Sequence, residues 1–176
     1  MGHTYGTWLP GSPKGFRTRH HRLHCEGAYK NPPPKGQWDR LHQRSKDLMK
    51  RDPVYLTPIQ RQLALDAFVQ SLLKRNIAVS VAAIDRVHFH LLARFEDRNP
   101  RHWIGVAKKE SSHALKLHGH GIEGGIWAVR CECIPVENHR HAECTEGYVA
   151  DHADRGAKVW KSCRAVDGRL VQFGIT

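Results

Sequence analysis

The chain has 176 residues, 28 Lys+Arg against 17 Asp+Glu for a formal charge of +11, and 14 His, 5 Trp and 5 Cys. Such a length predicts a single domain over 1–176, and 40% hydrophobic residues are enough for a packed core, which excludes a disordered polar chain, a collagen, a coiled coil and a solenoid. The positive excess predicts a polyanionic partner, nucleic acid foremost, because neutralising phosphates with Lys and Arg releases condensed counterions.

The opening His3-Thr4-Tyr5-Gly6-Thr7-Trp8 is β-branched and aromatic and stops at Pro10-Gly11, as a short strand ended by a turn does. Trp8-Leu9 runs straight into that turn with no secretory apolar stretch, and no apolar run approaches the roughly 18–20 residues of a membrane span, so a cytoplasmic protein with no membrane partner is expected. Five cysteines without an export signal point to thiols rather than a disulfide framework. A long basic insertion at about 10–56 follows, holding Arg17 and Arg19 among eleven Lys and Arg residues and Pro32-Pro33-Pro34.

Thr57-Pro58 supplies an N-cap and a proline at the first helical position, and Ile59, Leu63 and Ala67 recur beside Leu65, Phe68 and Leu72, which predicts a helix to about residue 75. Segments 77–84 and 87–95 are separated only by Asp85-Arg86 and predict a hairpin. Asn99-Pro100 opens a second helix to about residue 118, with Trp103, Ile104, Ala107, Ser111, Ala114 and Leu115 inward and Lys108, Lys109 and Lys116 outward. A glycine-rich break at 119–125 leads into a strand over 127–135 and a short helix over 145–155, with Gly156 at its left-handed end. The order βαββαβ plus a C-terminal helix predicts an α+β, ferredoxin-like sandwich whose two main helices cover one sheet face and leave the other open.

Strand parity over 87–95 sends Val87, Phe89, Leu91, Ala93 and Phe95 to one face and His88, His90, Leu92 and Arg94 to the other. Random placement of 14 His in 176 positions gives about one His-x-His, and three occur, so spacing alone decides little. His118/His120 alternates with glycine and His139/His141 falls in a polar loop; only His88/His90 sits on a strand with an apolar opposite face. Paired surface histidines and paired metal ligands both remain open for it. Tyr148 and His152 stand four apart on the last helix and share a face, where Tyr148 is either a packing aromatic or a nucleophile. A helix laid over the open face would carry His152 to His88 and His90. Three imidazoles on a divalent ion, magnesium or manganese, leave positions for a phosphate oxygen, and a tyrosine beside them can attack phosphorus. Cys131, Cys133, His139, His141 and Cys144 form a rival, zinc-like set, but Cys-x-Cys is not the usual ligand spacing, and Cys131 and Cys133 read as small core residues.

Taken together, Tyr5-Gly6-Thr7-Trp8-Leu9-Pro10-Gly11, His88-Phe89-His90-Leu91-Leu92 at the end of a hairpin, the Trp127 strand and Tyr148-Val149-Ala150-Asp151-His152 resemble the single-tyrosine HUH transposases, in particular the REP-associated tyrosine transposases related to insertion-sequence-200-like enzymes. The resemblance runs from Tyr5 to about Trp160. It implies a ferredoxin-like catalytic domain that cleaves and rejoins single-stranded DNA near hairpin or palindromic elements. His88 and His90 would be metal ligands, Tyr148 the nucleophile forming a 5′-phosphotyrosine with a free 3′-hydroxyl, and His152 the third ligand, where several relatives hold glutamine. A homodimer is common in that family. Many relatives carry Pro-Asn-His before the HUH strand, where this chain has Ile84-Asp85-Arg86-Val87. Arg17, Arg19, Arg94, Lys108, Lys109 and Lys116 are the candidate DNA contacts. The alternative reading is a nucleic-acid-binding protein without catalysis, zinc-containing or a domesticated relative.

Overall fold

The computed structural model describes residues 1–13, 15–16, 34–164 and 170–171. Its elements in chain order are β1 (Gly2–Thr4), α1 (Asp39–Asp47), α2 (Pro58–Leu73), β2 (Ala78–Ile84), β3 (His88–Arg94), α3 (Pro100–Leu117), β4 (Trp127–Cys131), α4 (His139–Ala150), a 3₁₀ turn (Asp151–Arg155), β5 (Lys158–Lys161), β6 (Cys163–Arg164) and β7 (Leu170–Val171). Five strands form one sheet in the order β4-β1-β3-β2-β5, giving an α+β protein. Among the described residues no helix is long and apolar enough to cross a membrane.

The chain divides into two compact units, Thr4–Val54 and the remainder. In the first, the strand expected to reach Trp8 ends at Thr4, because Gly6 turns the chain at φ 73°. Thr4 Oγ1 donates to the Val54 carbonyl at 2.7 Å, and Phe16 packs edge-on against Trp38 with ring centroids 5.4 Å apart. The expected irregular insertion contains α1, which buries none of its residues. That helix is sustained by Asp39 in its first turn and Arg44 and Lys46 in its last, charges that complement its dipole. Arg17 and Arg19 lie outside the described residues.

In the second unit, Thr57 and Gln60 form the reciprocal capping box that starts α2. Its inward stripe is Ala64, Leu65, Phe68, Val69 and Leu72. Ile59, expected inside, is 59% exposed, since the first turn projects beyond the packed face. Phe89 of β3 meets Phe68 at 5.0 Å and Trp127 at 5.2 Å between ring centroids, so α2, with α3 beside it, covers the sheet face to which Phe89 points. The opposite face is covered in part by α4, whose Val149 packs with Val81, Ala83, Leu92 and Val159. Strand β2 is therefore buried on both faces, which is why residues 77–84 show no polar alternation. The last helix begins at His139, capped by Asn138 onto the His141 amide, so His139 and His141 are helical rather than in a loop. It gives way at Asp151 to the 3₁₀ turn, and Gly156 at φ 80° turns the chain into β5, a strand not expected from the sequence, which pairs antiparallel with β2.

Lys108 does not stand where a DNA contact would. Lys108 is only 7% exposed; its Nζ donates to the carbonyl oxygens of Ala128 and, at 3.1 Å, Val129, tying α3 to β4, and burial lowers its pKa. Ile104, Lys108, Ser111 and Leu115 follow one buried helical stripe, so Lys108 is a structural donor. Lys108→Ala is expected to cost about 1–3 kcal/mol by stranding those carbonyls, and exposed Lys109→Ala close to nothing; urea unfolding of the two variants measures the difference.

Candidate metal centre and tyrosine

The site stands where β3 and the end of α4 meet. Asp85 closes the β2–β3 turn: its Oδ1 accepts from the amides of Val87 at 2.6 Å and His88 at 2.7 Å. This cap fixes the start of β3, so His88 and His90, two apart on one strand, share the face opposite Phe89. From the other side, the 3₁₀ turn lowers His152 onto the same spot; it is 3% exposed.

The ligand atoms of His88, His90 and His152 all lie within 4.8 Å of one another, the only such group of His, Cys, Asp or Glu among the described residues. Ring centroids are 4.7 Å apart for His88–His90, 5.6 Å for His88–His152 and 4.4 Å for His90–His152. Tyr148 closes the group, 4.8 Å from the His152 ring and 5.4 Å from the His90 ring, while remaining 46% exposed. A helical offset of four produces that stacking, and it leaves the phenol open to a large substrate.

The donor set suits a divalent ion. His152 Nδ1 lies 2.8 Å from the Tyr148 carbonyl, which can only accept, so Nδ1 carries the hydrogen and Nε2 presents a lone pair. His88 Nδ1 is 2.9 Å from Asp85 Oδ2, which likewise frees its Nε2. Burial alone would raise the Asp85 carboxyl, but hydrogen bonds from the His88 ring and from the Val87 and His88 amides override it and hold the pKa below the usual value. A carboxylate behind a ligating imidazole is a common outer-shell device at metal sites. Burial, then the proximity of His88 and His152, pushes the His90 pKa down to about 3, so its ring is neutral at pH 7 and would take an ion without first losing a proton. Three imidazole nitrogens are a softer set than magnesium prefers, which favours manganese.

Two further residues belong to this region, and the sequence reading did not single them out for it. Asp85 reads in the sequence only as a turn residue. His3 stands across from His88 in the β1–β3 register, and burial, then His88, lowers its pKa to about 4. Strand register is what brings His3 here, and no spacing within the sequence encodes it.

The other candidates lie elsewhere. Arg94 is at the far end of β3, exposed and 3.0 Å from Glu96. Lys109 and Lys116 are exposed on α3, which packs with α2 and β4 rather than on the triad's side of β3. The zinc-like set does not gather: Cys131 and Cys133 approach to 4.0 Å between sulfurs, but Cys144 is exposed and His139 pairs with Glu143 at 3.3 Å. Cys131 and Cys133 are half-buried rather than core residues, because β4 ends at Cys131 and its neighbour Val129 faces solvent.

The depressed pKa values fix a pH dependence. Unfolded, His3 and His90 take up protons near 6.5; folded, they do so only near 4 and 3. The metal-free fold therefore keeps its full stability above pH 6.5 and loses it as pH falls through that window, at up to about 1.4 kcal/mol per pH unit for each histidine. Urea midpoints measured with EDTA should decline from pH 7 to pH 4, and His90→Asn should flatten the slope.

Comparison with protein-family models, with curated proteins and with solved structures gives no match for this chain.

Proposed function

We propose that the chain is a divalent-metal-dependent enzyme that cleaves and rejoins single-stranded DNA near hairpin or repeat elements, with Tyr148 as the nucleophile and a 5′-phosphotyrosine intermediate. The observation that carries this reading is the convergence of His88, His90 and His152 with an exposed tyrosine ring against two of them. The strand order β4-β1-β3-β2, with α2 and α3 covering one face, supports the ferredoxin-like arrangement expected from the sequence, β5 being an added edge strand. The sequence resemblance to single-tyrosine HUH transposases points the same way, and the charge of +11 suits a phosphate backbone.

His88, His90 and His152 would hold a magnesium or manganese ion, which when bound supplies Lewis-acid polarisation of a phosphoryl oxygen. Asp85 orients the His88 ring, and the Tyr148 carbonyl orients that of His152, so the nucleophile's own backbone positions one of the ligands beside it. The Tyr148 oxygen attacks phosphorus and keeps the segment 3′ of the cut, joined through its 5′-phosphate as a phosphotyrosine, while the segment 5′ of the cut leaves with a free 3′-hydroxyl; that hydroxyl, or another, later reverses the bond.

A 5′- or 3′-labelled hairpin oligonucleotide incubated with the protein and manganese, then run on a denaturing protein gel, tests the reading. A metal-dependent shifted band carrying only the DNA 3′ of the cut is expected. Tight binding with no covalent band under magnesium, manganese or cobalt would sink it and favour a protein that only binds nucleic acid.

A further inference from the structure

The face that carries the triad continues onto β1. His3 and His88 are register partners across β1 and β3, and directly opposed residues on neighbouring strands share a face. Gly2 points the other way, where an added Cβ would come within 2.6 Å of the Phe89 ring. The His3 and His88 rings are 6.0 Å apart between centroids. His88 in turn neighbours His90 and His152, against which Tyr148 lies. Tyr148 thus lies on the His90–His152 side of the imidazole group and His3 on its His88 side.

Displacement at phosphorus runs in line, with the entering and leaving oxygens on opposite sides. A nucleophile at one margin sends the leaving oxygen toward the other. We propose that His3 contacts the substrate there, donating a ring hydrogen bond to the 3′-oxygen as its bond to phosphorus breaks. This rests on the reading of Tyr148 as the nucleophile. In that step the bond from the Tyr148 oxygen to phosphorus forms and the bond from phosphorus to the 3′-oxygen breaks, its electron pair staying on the 3′-oxygen. The phenolic proton goes to solvent, and the 3′-oxygen takes one up from solvent. A neutral imidazole carries one N–H, so the role asks for no ionisation of His3, only that this hydrogen turn to the 3′-oxygen when the strand is bound. A donor already aimed at the atom where charge develops accelerates such a step by about 10²–10³-fold.

Single-turnover adduct formation on two hairpin oligonucleotides tests this, one natural and one with sulfur replacing the bridging 3′-oxygen at the cleaved phosphate. A thiolate leaves readily without a hydrogen bond. His3→Phe, which keeps a ring and lacks the donor, should slow the oxygen substrate by about 10²-fold and the sulfur substrate by less than about threefold. His3→Asn, whose amide can donate, should recover part of the loss. Manganese affinity, read by electron paramagnetic resonance without DNA, should be unchanged in both variants. Equal slowing on both substrates, no slowing, or a loss of manganese binding would overturn the role of His3 while leaving Tyr148 as the nucleophile. Absence of an adduct with wild-type protein on either substrate would overturn both.

Discussion

Tyr148→Phe should abolish the protein–DNA adduct, lowering its rate by on the order of 10⁴-fold or more, since it removes the oxygen proposed as the nucleophile. The substitution is otherwise conservative. The ring remains available to pack against His90 and His152, and the hydrogen bond from His152 uses the backbone carbonyl of residue 148 rather than the phenol. Manganese affinity, hairpin affinity and thermal stability should therefore stay near wild type. Single-turnover assays on a labelled hairpin, beside manganese titrations of the same samples, separate chemistry from binding. A variant that still forms the adduct would place the nucleophile elsewhere.

The second large effect is expected at the triad. His88→Ala, His90→Ala and His152→Ala should each weaken manganese binding by more than about 10²-fold, beyond the 10–100-fold typical of outer-shell partners, and cleavage should fall with it. The three should differ in what else they disturb. His90 and His88 lie on a strand inside the sheet, and shortening them leaves the β2–β3 register in place. His152 sits at the junction of α4 and the 3₁₀ turn, where its Nδ1 bonds the Tyr148 carbonyl and its own carbonyl receives the Ala157 amide at 3.0 Å. His152→Ala should thus also loosen the turn that sets Tyr148, whereas His152→Gln, which keeps a donor atom at the same place, should retain part of both. Isothermal titration with manganese and circular-dichroism melts of the set measure the two effects separately. An alanine variant that unfolds would mark its histidine as a packing residue.

Much of this centre was legible because it depends on local periodicity. Strand parity over 88–94 and the helical offset from 148 to 152 each survive in a linear sequence, and the apolar partners Phe89 and Val149 reveal which side of each element is buried. What required the fold was everything set by register or by a change of helix type. His3 reaches the site across a β1–β3 pairing, and Asp85 does so through a turn whose two amide bonds orient it. The early start of α4 is hidden by Arg140, whose charge opposes the dipole at a helix N-terminus. Strand β5 is a four-residue edge with lysine at both ends and resembles loop sequence. Lys108 misleads for a different reason: a lysine reads as a surface residue, although it falls on the Ile104–Ser111–Leu115 stripe, where carbonyls of β4 accept from it.

The proposed function requires that Tyr148 become bonded to DNA at a centre built by His88, His90 and His152. Protein incubated with a hairpin oligonucleotide and manganese, digested with nuclease and trypsin and mapped by tandem mass spectrometry, tests it most directly. The mass of a 5′-linked nucleotide should appear on Tyr148 and vanish when EDTA replaces the metal. The same mass on Tyr5 or Tyr55, or cleaved DNA ending in a free 5′-phosphate with no modified peptide, would contradict it.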